Sequence, residues 1–264
     1  MTHFFVSPFS TTNTVGTDRA ADCECDLFVI SRIMASSTDS NKTLPQVPQA
    51  QPVREDDAES AKLCSKWVQT GLGNNKAIQF LLNQLEEMGC SPPDGFIQCK
   101  QCPQPQASGF GKIVVCDKTI RDFESATKVA DQQKGLPIKI LPEIFICQQY
   151  MESEIMTHKS MAHELIHAID SCRTKMDPVN NCVHLACTEI RAENLSGECS
   201  VLKELPRMKN FLGHGGECVK RRAALSVRAN PKCAARAEDY VEAAMSRCFE
   251  DYFPFDKHPN QLQS

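Results

Sequence analysis

The sequence predicts an α+β fold in which a small sheet and one buried, ligand-bearing helix are stapled by disulfides. Three observations carry this expectation. Helical periodicity and short β-type runs are interspersed along most of the chain, one uncharged helical stretch carries two histidines a turn apart, and 15 cysteines are spread over 264 residues.

Residues 1 to about 60 are rich in Ser, Thr, Pro, Gln and Asp, with no sustained periodicity, so a disordered extension containing Cys23 and Cys25 is expected. It has no compact apolar core with a small-residue cleavage site, as a secretory signal would. Asp18, Asp22, Glu24 and Asp26 set against Arg19 and Arg32 also argue against a mitochondrial presequence, and Met34 is an alternative start. One domain is expected over residues 61–258, followed by a short tail, 259–264.

Within that domain, Ala77, Ile78, Leu81, Leu82, Leu85 and Met88 recur at helical spacing, and Gly89 is a suitable stop. Pro92-Pro93-Asp94-Gly95 is turn chemistry. Two β-type runs follow, Gly111–Cys116 and Ile138–Cys147, separated by a polar segment from Asp117 to Lys134. A strand just before a ligand-bearing helix can offer its edge to an extended peptide, so Ile144–Gln148 is the candidate for substrate binding, with a plain core strand as the alternative. After the motif helix, Thr174–Cys182 reads as a polar turn. His184–Leu195 then reads as a helix closed by Ser196-Gly197, and a final helical pair spans about 217–228 and 233–249.

Composition excludes several classes. With 41% hydrophobic and 23% charged residues and a formal charge of -4, nothing points to nucleic acid or an anionic membrane as the main partner. No apolar run approaches the roughly 18 residues that a spanning helix needs.

The chemistry concentrates in Ser160-Met-Ala-His-Glu-Leu-Ile-His-Ala-Ile-Asp170. His163 and His167 share one helical face and can converge on a metal, while Glu164 sits where a metal-bound water could be deprotonated, the zinc-hydrolase signature. The uncharged flanks Met161, Ala162, Leu165, Ile166, Ala168 and Ile169 allow the helix to be buried. A catalytic zinc needs a third protein ligand, and Glu189 on the next helix is preferred to Asp170. Glu193, one turn beyond, could orient a histidine, and His184 or His214 could stabilise an oxyanion. The widely spaced cysteines favour disulfides, the alternative being a structural zinc module of Cys90, Cys99, Cys102 and Cys116.

The run His163–Arg173, then His184–Cys199, Glu217–Ala223, and Cys248-Phe-Glu-Asp251 with Pro254-Phe255-Asp256 resembles the mitochondrial inner-membrane metalloproteases that process and help assemble the ATP synthase, some of which also carry a Ku-binding label. The likeness runs from about Cys64 to Asp256, with a longer segment between about Pro103 and Pro142 and with Glu193 in place of a small residue. With the residue reading it makes the domain a zincin-like endopeptidase in which His163 and His167 bind Zn2+, Glu189 completes the set and Glu164 is the general base. It further implies peripheral attachment on the intermembrane-space side, with several disulfides. The substrate would be the precursor of ATP synthase subunit a, alongside an assembly role that does not need proteolysis. Ten of the cysteines fit the family's positions, whereas Cys23, Cys25, Cys116, Cys182 and Cys233 look additional.

Overall fold

The computed structural model describes residues 27–28, 55–102, 106–115, 138–199, 214–256 and 258–259. Among them six α-helices and four strands form a mixed α+β arrangement. The helices are α1 (Glu55–Asn74), α2 (Lys76–Glu87), α3 (Glu154–Arg173), α4 (Cys182–Leu195), α5 (His214–Ala229) and α6 (Ala237–Cys248). The strands are β1 (Leu27–Phe28), β2 (Ile97–Lys100), β3 (Ser108–Val115) and β4 (Ile138–Cys147), in the sheet order β1-β3-β4-β2. Thus β1 falls within the stretch read as a disordered extension, and α1 starts at Glu55, before the boundary read at about 60. Most of that stretch lies outside the described residues, as do the segment 117–134, Cys23, Cys25 and Cys116, and the His214 side chain.

Local sequence accounts for the helix limits. Asn75 caps α2 by accepting from the amides of Ala77 and Ile78, and Gly89 at φ +79° ends it. Ser153 caps α3 and Asn181 caps α4, in each case through a side-chain oxygen accepting from the first turn.

β4 is an interior strand, which corrects its reading as an edge for substrate. Ile144 to Cys147 pair with β2 in parallel, and Ile144 to Ile146 pair with β3 antiparallel on the other side. Position in sequence cannot reveal sheet order, because both neighbours are set by distant chain. The β3–β4 ladder shifts between Phe110 and Lys112, opposite Pro142. Proline has no N–H for the ladder, and Gly111 at φ +93° absorbs the irregularity. Gly109 pairs with Phe145, and a Cβ there would lie 2.3 Å from the Phe145 ring, so any larger residue would force that buried ring to move.

Buried side chains form two main clusters. One joins α1, α2 and α3 to the sheet through Ile78, Leu81, Leu85, Ile144, Ile146, Leu165, Ile166 and Ile169. The other joins α4, α5 and α6 through Leu185, Ile190, Val219, Val227, Val241 and Ala244. Six disulfides staple these halves internally: Cys64–Cys99, Cys90–Cys172 and Cys102–Cys147 in the first, Cys182–Cys233, Cys187–Cys248 and Cys199–Cys218 in the second. The disulfide expectation therefore holds. A zinc module of Cys90, Cys99, Cys102 and Cys116 does not, because the first three have other partners. Two cysteines that looked additional, Cys182 and Cys233, pair with each other. Helix α3 belongs to the first half and α4 largely to the second, so their contact forms the seam.

Candidate metal centre

The seam is where the motif residues meet. On α3 the uninterrupted run from Ser160 to Asp170 is buried, so one helix carries both histidines and Glu164 into the interior. α4 crosses it and contributes Glu189, fully buried. His163 Nε2 lies 3.8 Å from one Glu189 oxygen and His167 Nε2 lies 4.0 Å from the other. One donor atom from each of the three side chains lies within 4.8 Å of the others. Among the described residues His167 Nε2 is buried without a hydrogen-bond partner, and the buried Glu189 carboxyl has no closer support than the Ser226 hydroxyl. Leaving such atoms unsatisfied costs roughly 1–3 kcal/mol each, more when charged, and a shared cation removes that cost. Two imidazoles and a carboxylate converging in this way fit a divalent metal with one coordination position left open.

The electrostatics agree. Burial first, then Glu193 and Glu164, hold the Glu189 carboxyl well above the usual range, with Ser226 and Arg222 pulling the other way. Burial holds His167 down to about 3 with help from Arg191, and burial, His167 and Arg222 hold His163 well below 6.5. Neutral imidazoles are what a metal requires.

Asp170, the rival ligand, is engaged elsewhere. The His167 ring Nδ1 lies 2.8 Å from the Thr188 hydroxyl, which in turn donates to Asp170 Oδ2 at 2.8 Å. The other Asp170 oxygen accepts from Arg191 Nε at 2.8 Å and Arg173 Nε at 3.0 Å. Since the hydroxyl gives its hydrogen to Asp170, Thr188 accepts from Nδ1–H, which fixes the tautomer and leaves Nε2 as the donor atom toward the centre. The two arginines continue to Asp251 and to the Phe253 carbonyl beyond α6, so the C-terminal turn closes behind the centre.

Glu164 is held from the sheet. Ser108 on β3 donates to its Oε1 at 2.6 Å, while Oε2 is buried without a partner. Burial lifts this carboxyl to about 8, the Ser108 bond drawing it down and Glu193 pushing it further up. Ser108 was missed by sequence reasoning, and only the pairing of β3 with β4 brings it over α3. Glu193 was expected to orient a histidine. It is buried near His163, but its direct partner is Arg222, which also pairs with Glu198, and Glu198 lies 4.0 Å from His163 Nδ1. His184 accepts a hydrogen bond from the Asp177 amide and so serves the α3–α4 loop.

Comparison with known proteins places the chain among peptidases. The model of the Peptidase M76 family matches residues 62–256. A mitochondrial inner membrane protease atp23 of Aspergillus clavatus is 34% identical over 233 residues, covering 87% of this chain and 85% of that protein. Its namesake in Schizosaccharomyces pombe is 32% identical over 202 residues, with 74% and 92% covered. The ATP23 homolog of Xenopus laevis is 32% identical over 200 residues, with 75% and 74% covered. No solved structure matches the chain. With the family model running from α1 through the C-terminal turn, and so over every residue of the centre, the chain belongs to the M76 family of peptidases.

Proposed function

We propose that this protein is a zinc metalloendopeptidase of the mitochondrial inner membrane, in which His163, His167 and Glu189 hold the metal and Glu164 is the general base. The observation that carries the reading is the convergence of the three donors beside a buried carboxylate with one oxygen that has no hydrogen-bond partner among the described residues. Zinc held by these residues would supply Lewis-acid chemistry, polarising a carbonyl and lowering the pKa of a water. Glu164 would take a water proton on Oε2 and return it to the leaving amine nitrogen. Burial lifts its carboxyl to about 8, and a cation held by the adjacent donors would draw it down to the carboxylate form that this role needs. Ser108 keeps Oε1 occupied, so Oε2 is the oxygen that exchanges the proton. Thr188 and Asp170 keep His167 facing the metal.

Substrate would lie along β3. Its residues from Ser108 to Phe110 pair with β4 on one side, while among the described residues the other side is paired only at Ile113 and Val114. A peptide added as a strand beside Ser108 would bring its carbonyls past Glu164. The relatives' names support the inner-membrane location, and six disulfides suit an oxidising compartment such as the intermembrane space. Among the described residues no helix is long and apolar enough to cross a membrane, and the family resemblance supports peripheral attachment there. The family resemblance supports the precursor of ATP synthase subunit a as substrate. In purified protein, Glu164→Gln should retain metal while cleaving that precursor about 100- to 10,000-fold more slowly. Cleavage at the wild-type rate would show that Glu164 is not the base.

A further inference from the structure

Beside His167 the fold leaves a cavity of about 20 Å³ lined by Phe110, His167, Ser171, Met176, Pro178 and Thr188. Its walls come from β3, the end of α3, the α3–α4 loop and α4, so it lies where strand and metal centre meet. Phe110 and Ser108 are alternate residues of one strand and face the same way, which puts the cavity next to the residue that holds Glu164. The Thr188 hydroxyl is already engaged by His167 and Asp170, and Phe110, Met176 and Pro178 offer carbon.

We propose that this cavity receives the side chain of a substrate residue flanking the scissile bond and selects a small apolar one, of about alanine size. The inference rests on the peptidase reading above. Size points to the class: about 10–15 Å³ of such space holds one water, so the space against these walls matches a methyl group better than an isobutyl or benzyl group. Met176 sets the limit. It is a half-buried, unbranched wall on a loop, is itself neither a metal donor nor the base, and shortening it enlarges the cavity.

The test compares wild type, Met176→Ala and Met176→Phe on quenched peptides varied one position at a time on both sides of the scissile bond. Metal content and circular dichroism are matched between the three proteins beforehand. At one flanking position wild type should prefer Ala to Leu by at least about 10-fold in kcat/KM, since each methylene in an apolar pocket is worth about 10- to 200-fold. Met176→Ala should reverse that preference toward Leu, and Met176→Phe should leave only Gly accepted there, with selectivity at other positions unchanged. Unchanged selectivity in both folded, active variants would overturn the proposal, as would a wild-type preference for large or charged residues at both flanking positions. If wild type cleaves no peptide and no protein precursor, the peptidase reading itself fails and the pocket falls with it.

Discussion

Thr188 uses one hydroxyl for two bonds, and so links a candidate metal ligand to a buried charge. Valine has the same shape without the hydroxyl, leaving His167 Nδ1–H and one Asp170 oxygen without their partner. Outer partners of metal-bound histidines are typically worth 10- to 100-fold in metal affinity. Thr188→Val should therefore weaken zinc binding by about that factor in a chelator competition, with little change in helix content; undiminished affinity would show that His167 needs no such support. Which of these residues could be read in advance follows from sequence distance. His163, Glu164 and His167 declare themselves through helical spacing, and Glu189 through the helix that follows. Asp170 was visible as an acid but ambiguous in role, because its arginine partners and Thr188 become neighbours only when α3 and α4 cross. Ser108 gave no signal at all.

At the scale of elements, α3 and α4 can be read from sequence because each has a cap, an apolar run and a stop within a few residues. The sheet is less legible. β2 has only four residues, too few to show a period, and its parallel pairing with β4 depends on chain far away. Cysteine pairing was likewise hidden, since spacing shows a disulfide frame without its connectivity. That frame makes a prediction for the second half of the molecule. Cys182–Cys233 ties the start of α4 to the turn before α6 across 51 residues. Replacing both cysteines by serine should cost about 2–4 kcal/mol in a denaturant titration, because the unfolded chain regains the freedom of that loop. A loss below about 0.5 kcal/mol would mean that α4, α5 and α6 hold that geometry by packing alone.

For the whole molecule, the decisive feature is that no disulfide among the described residues crosses the seam, whereas the candidate centre and the Asp170–Arg191–Asp251 network do. The metal should therefore act as a clasp between the halves, and its removal should leave a pH-dependent weakness. Glu164 titrates at about 8 when folded and near 4.5 when unfolded, so the metal-free folded state holds the extra proton between those values and loses stability as pH rises through them. The histidines contribute with the opposite sign, but only below their unfolded value of 6.5, where the unfolded chain takes up protons that His163 and His167 do not. Between pH 6.5 and 8 the buried carboxyls dominate, Glu189 acting in the same direction as Glu164. At about 1.4 kcal/mol per pKa unit, metal-free protein should lose about 2 kcal/mol over that interval through Glu164 alone. Calorimetry on chelated protein at the two pH values checks this, and Glu164→Gln should lessen the trend without abolishing it, because burial holds the Glu189 carboxyl up as well. A flat profile in the chelated wild type would mean that Glu164 is not held protonated inside the fold.

The central claim is that three side chains from two helices make one zinc site, with Glu189 completing the set. Zinc stoichiometry of the purified protein and its Glu189→Gln variant, measured by elemental analysis after dialysis, tests it most directly. One zinc per wild-type chain and almost none in the folded variant is the predicted result. A wild type without zinc, or a variant that retains a full equivalent, would contradict it.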